Sequence, residues 1–320
     1  MFDLAGLEDA HGVVARAMGP TPQYRWPTLC RSVGCEVWVK HENHTPIGSF
    51  KVRGGLVLFD ELDRTGRLPE RIVTATRGNH GQSIPFAARR CGVPVTVLIP
   101  RGNSVEKNEA MLGWGAELVE VGDDFEEARM EAERRAAAGE AYYVPSFHPA
   151  LVRGVATYAH ELFEAVRDLD TVYVPIGMGS GICGVIRTRD LMGLSTEVVG
   201  VVAARAPAVA RSVAAGSIVT TDTSDTFADG MAVRMPHAEA FEVIRRGAAR
   251  IVEVSEAEIA EAMCVLYRST HNVAEGAGAA AFAGLCQEGA RRAGRRVAVI
   301  LSGGNVDASV FRTVLAGDVP

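Results

Sequence analysis

Short runs of apolar residues, rich in valine and isoleucine, recur along the chain and are separated by polar or alanine-rich stretches of helical length. Runs such as Val95–Ile99 and Val297–Leu301 do not alternate between apolar and polar positions, which is typical of parallel strands buried on both faces. The pattern predicts strands at Ile72–Ala75, Val95–Ile99, Glu117–Val121, Tyr142–Val144, Thr171–Pro175, Val198–Val202 and Val297–Leu301, and helices that include Glu126–Ala138 and Leu151–Val166.

The alternation of strands and helices over most of the chain predicts an α/β fold with parallel sheet and right-handed crossovers. Ligands of such folds bind beyond the carboxyl ends of the strands. Three predicted strands are followed there by glycine-containing polar turns, at residues 76–82, 177–184 and 302–305. We expect the chemistry of the protein to lie in these turns.

Composition and charge narrow the class of protein. The 320 residues are 48% hydrophobic and 22% charged, which is ordinary for a globular protein. A net charge of -6 without a basic stripe argues against a nucleic-acid partner, and no apolar run is long enough to span a membrane. The N-terminal residues lack the features of a signal peptide. The six cysteines have no zinc-ligand spacing, so we expect free thiols, no bound metal and a cytoplasmic location.

The turn after Pro175 predicts an anion site. Its glycines allow the backbone to approach a ligand, and the amides at the start of the next helix face an anion, helped by the helix dipole. Residues 179–184 also fit G-x-G-x-x-G, the pattern of a dinucleotide site. Such a site prefers an acid at the end of the next strand, where this chain has Arg205. A contact of Arg205 with a 2′-phosphate keeps an NADP-dependent oxidoreductase open as an alternative.

A lysine follows the turn-rich segment 42–50. The proline and glycine of that segment predict a turn, and Ser49 is a candidate N-cap for a helix whose first turn contains Lys51. The positive end of a helix disfavours an ammonium ion and favours the neutral amine that forms a Schiff base. Lys51 is therefore a candidate for covalent catalysis.

The segment Ser49-Phe50-Lys51-Val52-Arg53-Gly54 resembles the lysine motif of the fold-type II pyridoxal-phosphate enzymes, which include threonine and serine dehydratases, serine racemase and cysteine synthase. The resemblance continues, in order, at Gly78–Gln82, Gly177–Gly181, Asp229–Val233, Glu275–Ala279 and Ser302–Asn305. His80 is similar to the threonine ammonia-lyase and serine racemase branch, because the cysteine-synthase branch has threonine there.

The resemblance implies a tryptophan synthase β-like α/β fold. It consists of two α/β domains with mostly parallel, twisted sheets and the cofactor in the cleft between them. The large domain would comprise residues 1–52 and 150–320, and the small domain residues 53–149. Family members are usually homodimers, so we expect a homodimer whose ligand is a small amino acid.

The resemblance also assigns roles to residues. Lys51 would hold pyridoxal 5′-phosphate as a Schiff base and act as general base toward the α-proton. Asn79 would bond the phenolic oxygen of the ring, and the amides of residues 78–82 would hold the substrate carboxylate. The substrate-binding candidates are Arg77, Gly78, Asn79, His80, Gly81 and Gln82, and the cofactor-binding candidates are Phe50, Lys51, Asn79, Gly177, Met178, Gly179, Ser180, Gly181 and Ser302.

Ser302 would take the place near the pyridine nitrogen. A hydroxyl does not keep that nitrogen protonated as a carboxylate would, so a carbanion is less delocalised into the ring and expels a β-substituent more readily. This favours a dehydratase, or ammonia-lyase, that converts a small β-hydroxy amino acid through an aminoacrylate to a 2-oxo acid and ammonia. A β-replacement synthase and an amino-acid racemase remain alternatives.

Two positions depart from the family's pattern. Arg77 stands where racemases have a serine that shuttles a proton. A guanidinium stays protonated and shuttles poorly, so Arg77 either binds a second acidic group of the substrate or faces solvent. Some relatives bind a divalent cation through an acid after the strand Val198–Val202, where this chain has Ala203, Ala204 and Arg205. We therefore expect no metal dependence, with Arg205 as an alternative source of positive charge.

Overall fold

The computed structural model describes residues 1–292 and 294–320. The helices are α1 (Leu4–Ala15), α2 (Pro27–Val33), α3 (Lys51–Arg64), α4 (Asn79–Ala88), α5 (Val105–Gly113), α6 (Phe125–Ala137), α7 (Pro149–Ala165), α8 (Ser180–Leu191), α9 (Ala208–Ala215), α10 (Ala238–Gly247), α11 (Glu256–Thr270), α12 (Gly276–Glu288) and α13 (Ala308–Leu315). The strands are β1 (Gln23–Arg25), β2 (Glu36–His41), β3 (Ile72–Ala75), β4 (Val95–Ile99), β5 (Glu117–Glu120), β6 (Tyr142–Tyr143), β7 (Thr171–Pro175), β8 (Glu197–Ala203), β9 (Arg250–Val254) and β10 (Arg296–Leu301).

The predicted α/β architecture is confirmed, and so is every strand that the apolar pattern predicted. Their ends differ from the prediction by no more than one residue. The pattern missed β1, β2 and β9. Strand β1 is only three residues long, β2 has just three consecutive apolar residues with charged ones on both sides, and β9 has Glu253 between its valines. A search for unbroken apolar runs therefore passes over them.

Contacts divide the chain into two compact units. The first comprises Met1–Gly19, Thr45–Val155 and Asn305–Asp307, and the second comprises Pro20–His44, Ala156–Gly304 and Ala308–Pro320. The sequence-based division placed residues 1–52 in the large domain. In the contact units the first 19 residues go instead with α3, since Ala10, Val13 and Val14 of α1 pack against Val52 and Val57. The predicted domain boundaries stay a prediction.

The first unit contains a parallel four-stranded sheet in the order β5-β4-β3-β6. One face carries α6, whose Ala128 and Ala132 pack on Val73 and Leu98. The other face carries α3, α4 and α5 through a core that includes Phe59, Ile84 and Met111. Since β3 lies inside the sheet and leads directly into the turn before α4, that turn begins from a buried and fixed strand end.

The second unit contains a six-stranded sheet in the order β1-β2-β10-β7-β8-β9. Its pairs are parallel except for β1, which runs antiparallel to β2 at one edge. Helix α12 packs across β7, β8 and β10 and is built largely from glycine and alanine. At Gly284 of this helix a Cβ atom would come 2.7 Å from Val201, so the small residues permit the close contact.

Within residues 1–292 and 294–320, no helix combines the length and apolarity needed to cross a bilayer.

A buried ion pair connects β2 to α7 within the second unit. The Lys40 ammonium is fully buried and donates to Glu161 (2.7 Å), to the Thr21 carbonyl oxygen (2.8 Å) and to Gln23 (2.9 Å). Three acceptors match the three protons of the ammonium group. The network offsets the cost of burying a charge on β2.

We expect Glu161→Ala to lower the free energy of unfolding by about 3–5 kcal/mol, because it leaves the Lys40 charge buried without its counter-ion. Urea unfolding followed by circular dichroism measures this loss. Glu164→Ala on the same helix is the matched control, since Glu164 pairs with Arg167 at the surface (3.2 Å) and such a pair contributes less than about 1 kcal/mol. Equal losses in the two variants would show that the buried pair is no more important than the exposed one.

Candidate active site

Helix α3 begins at Lys51, as the sequence predicts for the candidate nucleophile. The chain reaches it through a turn in which Gly48 has a φ of 68°. The Thr45 hydroxyl closes this turn, because it accepts from the Ser49 amide (2.9 Å) and donates to the Ser49 carbonyl (2.8 Å). Lys51 thus follows a loop that the Thr45 hydrogen bonds stabilise, and it lies in the first turn of α3.

The prediction that Ser49 caps this helix is wrong. The N-cap position is Phe50, with no side-chain cap. The Thr45 hydroxyl binds the Ser49 backbone and holds it in the preceding turn. Ser49 therefore stands one residue before the N-cap position, and its side chain accepts no hydrogen bond from the first-turn amides of α3. Its Oγ atom is buried and has no hydrogen-bond partner among the described residues.

Lys51 lies between an aromatic ring and a buried imidazole. Its Nζ atom is 5.1 Å from the centre of the Phe50 ring. His80 is buried, and its Nε2 lies 3.4 Å from the Val144 carbonyl oxygen. Burial, and then the charge of Lys51, lowers the pKa of His80 to about 3. His80 is therefore neutral at physiological pH and adds no second positive charge beside the lysine.

The turn between β3 and α4 holds the predicted substrate-binding residues. The Gly78 amide donates to Thr76 Oγ1 (2.9 Å), and the Gln82 amide donates to the Gly78 carbonyl oxygen (3.2 Å). The amides of His80 and Gly81 lie in the first turn of α4, where a helix offers its amides no internal acceptors. The binding of an anion by the amides of residues 78–82 stays a prediction.

Glycine is required in this turn by packing. A Cβ atom at Gly78 would come 2.5 Å from Cδ of Lys107, and one at Gly81 would come 2.5 Å from Thr76 Cγ2. Beside them, Nε2 of the buried Gln82 has no hydrogen-bond partner within the described part of the chain. Arg77 is partly exposed at the start of the turn.

The second unit contains the predicted phosphate loop between β7 and α8. Gly179 has a φ of 98° at the N-cap of α8 and lies against Ala240, which a Cβ atom would approach to 2.8 Å. The Tyr158 hydroxyl donates to the Gly181 carbonyl oxygen (3.1 Å) and so helps to fix the first turn of α8. Ser180 is buried in that turn. Left-handed glycine, close packing and a helix N-terminus together suit a phosphate group.

Two further segments that resemble the family pack on these loops of the second unit. The Gly230 carbonyl oxygen contacts Gly177, where a Cβ atom would collide with it, and the Gly303 carbonyl oxygen contacts Gly278 in the same way. The Ser302 hydroxyl is buried and lies 3.4 Å from the Ala277 carbonyl oxygen. Ser302 therefore presents a neutral group.

The residues outside these loops contribute less. Arg205, which the sequence offered as a source of positive charge, forms an exposed ion pair with Asp225. His44 bonds Asn272 (2.5 Å) and stacks on His41. In the described ranges, 1–292 and 294–320, no group of three histidine, cysteine, aspartate or glutamate residues is arranged to hold a metal ion.

The count of lysines is a signal that the sequence reasoning missed. The chain contains only three lysines, Lys40, Lys51 and Lys107, and arginine makes up the rest of its 33 basic residues. Lys40 is committed to its buried ion pair, and Lys107 is buried with its side chain against Gly78. Lys51 is therefore the lysine best placed to react with an aldehyde.

The comparisons with known proteins decide the family. A family model described as pyridoxal-phosphate dependent enzyme matches residues 14–303. This chain belongs to that family. The predicted cofactor, pyridoxal phosphate, is thereby confirmed, in preference to the NADP alternative. The donors present suit it: a lysine in a helix first turn, buried polar atoms without partners beside it, and a glycine cradle for phosphate.

Individual relatives place the chain within the family. It is 31% identical to L-threonine ammonia-lyase of Thermotoga maritima, over 98% of this chain and 78% of the relative. It is 30% identical to L-threo-3-hydroxyaspartate ammonia-lyase of Saccharomyces cerevisiae, over 97% and 95%. Its structure is similar to that of maize serine racemase, with a TM-score of 0.90 and 26% identity over 98% and 97% of the two chains.

We expect borohydride reduction of the protein loaded with pyridoxal phosphate to attach the cofactor permanently to Lys51. Peptide mapping by mass spectrometry checks this, and the sequence allows only three modified lysines. Lys51→Ala is expected to abolish the label, since the other two lysines are buried. A stable label on Lys40 or Lys107 in the native protein would contradict the assignment.

Proposed function

We propose that this protein is a pyridoxal-phosphate-dependent ammonia-lyase that converts a small β-hydroxy amino acid to a 2-oxo acid and ammonia. The observation that carries the proposal is Lys51 in the first turn of α3 beside the neutral, buried His80. Its support from comparison is a set of relatives named threonine or hydroxyaspartate ammonia-lyases. When bound, pyridoxal phosphate supplies an aldehyde for the substrate amine and a ring that draws electrons from the α-carbon.

Lys51 has two tasks in this proposal. It would hold the cofactor through its amine, and the same amine, when free, would take the α-proton of the substrate as general base. The positive end of α3 disfavours an ammonium ion at this position. His80 is neutral at neutral pH, so it supplies no counter-charge that would stabilise an ammonium ion on Lys51.

The turn before α4 orients the substrate. The amides of residues 78–82, at the start of α4, would hold the α-carboxylate, aided by the dipole of that helix. This fixes the α-carbon so that its proton points at one base, which is the main contribution of positioning to such a step. The amides at the start of α8, from Gly177 to Gly181, hold the phosphate.

Ser302 selects elimination. Its hydroxyl is neutral and would not hold the ring nitrogen of the cofactor protonated. The electron pair left at the α-carbon would then be less delocalised into the ring and would expel the β-hydroxyl more readily, which favours elimination over transamination. Arg77 acts in the same direction, since a guanidinium does not deliver and recover protons at neutral pH. We infer a lyase with little racemase activity.

We further propose a homodimer in the cytoplasm, without a nucleic-acid or membrane partner. The support is the family resemblance together with cysteines that are all free thiols, the usual state in a reducing compartment. Light scattering of the purified protein measures the mass in solution, and a monomer at micromolar concentration would contradict the dimer.

A panel of β-hydroxy amino acids tests the function. We expect release of a 2-oxo acid and ammonia from at least one of serine, threonine and the 3-hydroxyaspartates, at least a hundredfold faster than any change in the α-carbon configuration of the unreacted substrate. Chromatography on a chiral column measures both rates in one assay. Lys51→Ala is the inactive control. Racemisation faster than 2-oxo acid release would overturn the role given to Ser302 and Arg77.

Arg77 is proposed to choose acidic substrates within that panel. It is partly exposed and directly precedes the turn that receives the α-carboxylate, and a guanidinium pairs bidentately with a second carboxylate. We expect Arg77→Ser to lower kcat/KM for 3-hydroxyaspartate by an amount that corresponds to about 2–4 kcal/mol of lost transition-state binding, the cost of truncating a charge pair. The change in kcat/KM for serine should be far smaller. Arg101→Ser is the surface control, because Arg101 pairs with exposed Asp123. An equal loss on all substrates would mean that Arg77 orders the turn.

A further inference from the structure

Asn305 connects the two turns of the first unit that carry Lys51 and Asn79. Its Nδ2 atom donates to the Ile47 carbonyl oxygen (2.8 Å) and to Oδ1 of Asn79 (2.8 Å). Ile47 lies in the turn that leads to Lys51, and Asn79 is the first residue of α4. The NH2 group of Asn305 therefore forms a fork, that is, two hydrogen bonds from one amide group to residues 226 and 258 positions away in sequence.

The direction of every amide in this fork follows from the backbone. A peptide carbonyl accepts hydrogen bonds and never donates them, so Ile47 requires the NH2 group of Asn305 on its side. The same NH2 group reaches Asn79, which must then turn its oxygen toward Asn305. An amide that points its oxygen one way presents its own NH2 group on the other edge.

Packing holds Asn305 in this position. Gly48 has a φ of 68°, and a Cβ atom there would come 2.6 Å from Oδ1 of Asn305. The side chain therefore lies directly on the backbone of the Lys51 turn. Two residues later, Asp307 accepts from the Ser104 hydroxyl (2.5 Å) and fixes the segment again.

We propose that Asn305 is a positioning residue that keeps the NH2 group of Asn79 directed at the ring oxygen of the cofactor. The inference rests on the proposed function and on the role that the family resemblance implies for Asn79, whose side chain would donate to that oxygen. An ionised ring oxygen accepts hydrogen bonds, so it is stabilised by the Asn79 nitrogen and destabilised by the Asn79 oxygen. In this proposal Asn305 acts through Asn79 alone, by the hydrogen bond between their side chains.

Asn305→Asp tests this because it keeps the shape and removes the donor. Asn79 is then expected to rotate its NH2 group toward the new carboxylate and its oxygen toward the ring. Two readouts follow: the dissociation constant of pyridoxal phosphate, by titration of cofactor-free protein, and the visible absorption of the loaded protein. We expect at least tenfold weaker binding and a band moved to shorter wavelength, because the neutral ring oxygen replaces the ionised one.

The order of the variants separates this role from a space-filling one. Asn305→Ala leaves Asn79 able to adopt either orientation, so its effect should be smaller than that of Asn305→Asp, although Ala leaves a cavity. The matched control is Asn103→Asp, since Nδ2 of Asn103 donates to the side chain of Asn108 (2.7 Å) in the same unit. It should leave both readouts within twofold of the parent.

A double variant provides the last test. In an Asn79→Ala background, Asn305→Asp should move the absorption band no further, because its effect passes through Asn79. A further shift there, an Ala variant worse than Asp, or Asp with parental affinity and band would each overturn the inference. If Asn305→Asp does not fold, Asn305→Ala replaces it as the test. An Asn305→Ala variant with the affinity and absorption band of the parent would then contradict the inference. Failure of the parent protein to bind pyridoxal phosphate would instead sink the proposed function.

Discussion

The close approach of α3 to its neighbours is the constraint on which the first unit depends. Lys51 and Asn79 are the first residues of α3 and α4, so the contact between these helices sets the distance between the two turns. A Cβ atom at Gly55 would come 2.5 Å from the Ser83 hydroxyl, and one at Gly54 would come 2.9 Å from the Leu151 carbonyl oxygen. The Ser83 hydroxyl also donates to the Lys51 carbonyl oxygen (2.6 Å), which joins α4 to the first turn of α3. Two adjacent glycines thus let backbone lie on backbone, and a rigid pair of helices carries the chemistry.

The second unit also depends on close packing at glycines, because backbone carbonyl oxygens lie where a Cβ atom would otherwise be. Gly177 lies against the Gly230 carbonyl oxygen and Gly278 against that of Gly303. Any other residue at these positions would move the loop that it belongs to. The segments around Gly230 and Gly278, which resemble the family, therefore support the turns at residues 177–184 and 302–305 by backbone contact.

Local signals in the sequence were enough to predict much of this structure. Unbroken apolar runs gave the parallel strands, because burial on both faces leaves no polar position. The position of Lys51 in the first turn of α3 followed from turn chemistry, but the cap of that helix did not, since Thr45 binds the Ser49 backbone and Phe50 is the N-cap residue. Strand β2 was missed because Lys40 looks solvent-exposed until Glu161, 121 residues away, is placed beside it. The fork at Asn305 is of the same kind, since a contact over 226 residues leaves no local pattern.

The scarcity of lysine bears on how the cofactor is used. Pyridoxal phosphate is an aldehyde that condenses with any accessible primary amine, and a surface rich in lysine would hold much of it in unproductive adducts. Here the surface cations are arginines, which provide charge without that reactivity, and two of the three lysines are buried. Arginine thus supplies the positive charge of the surface, and lysine is kept for the proposed reaction with the aldehyde. With Lys51 as the proposed point of attachment, one equivalent of aldehyde per chain meets one partly exposed lysine, so little of a scarce and reactive compound is lost to other lysine side chains.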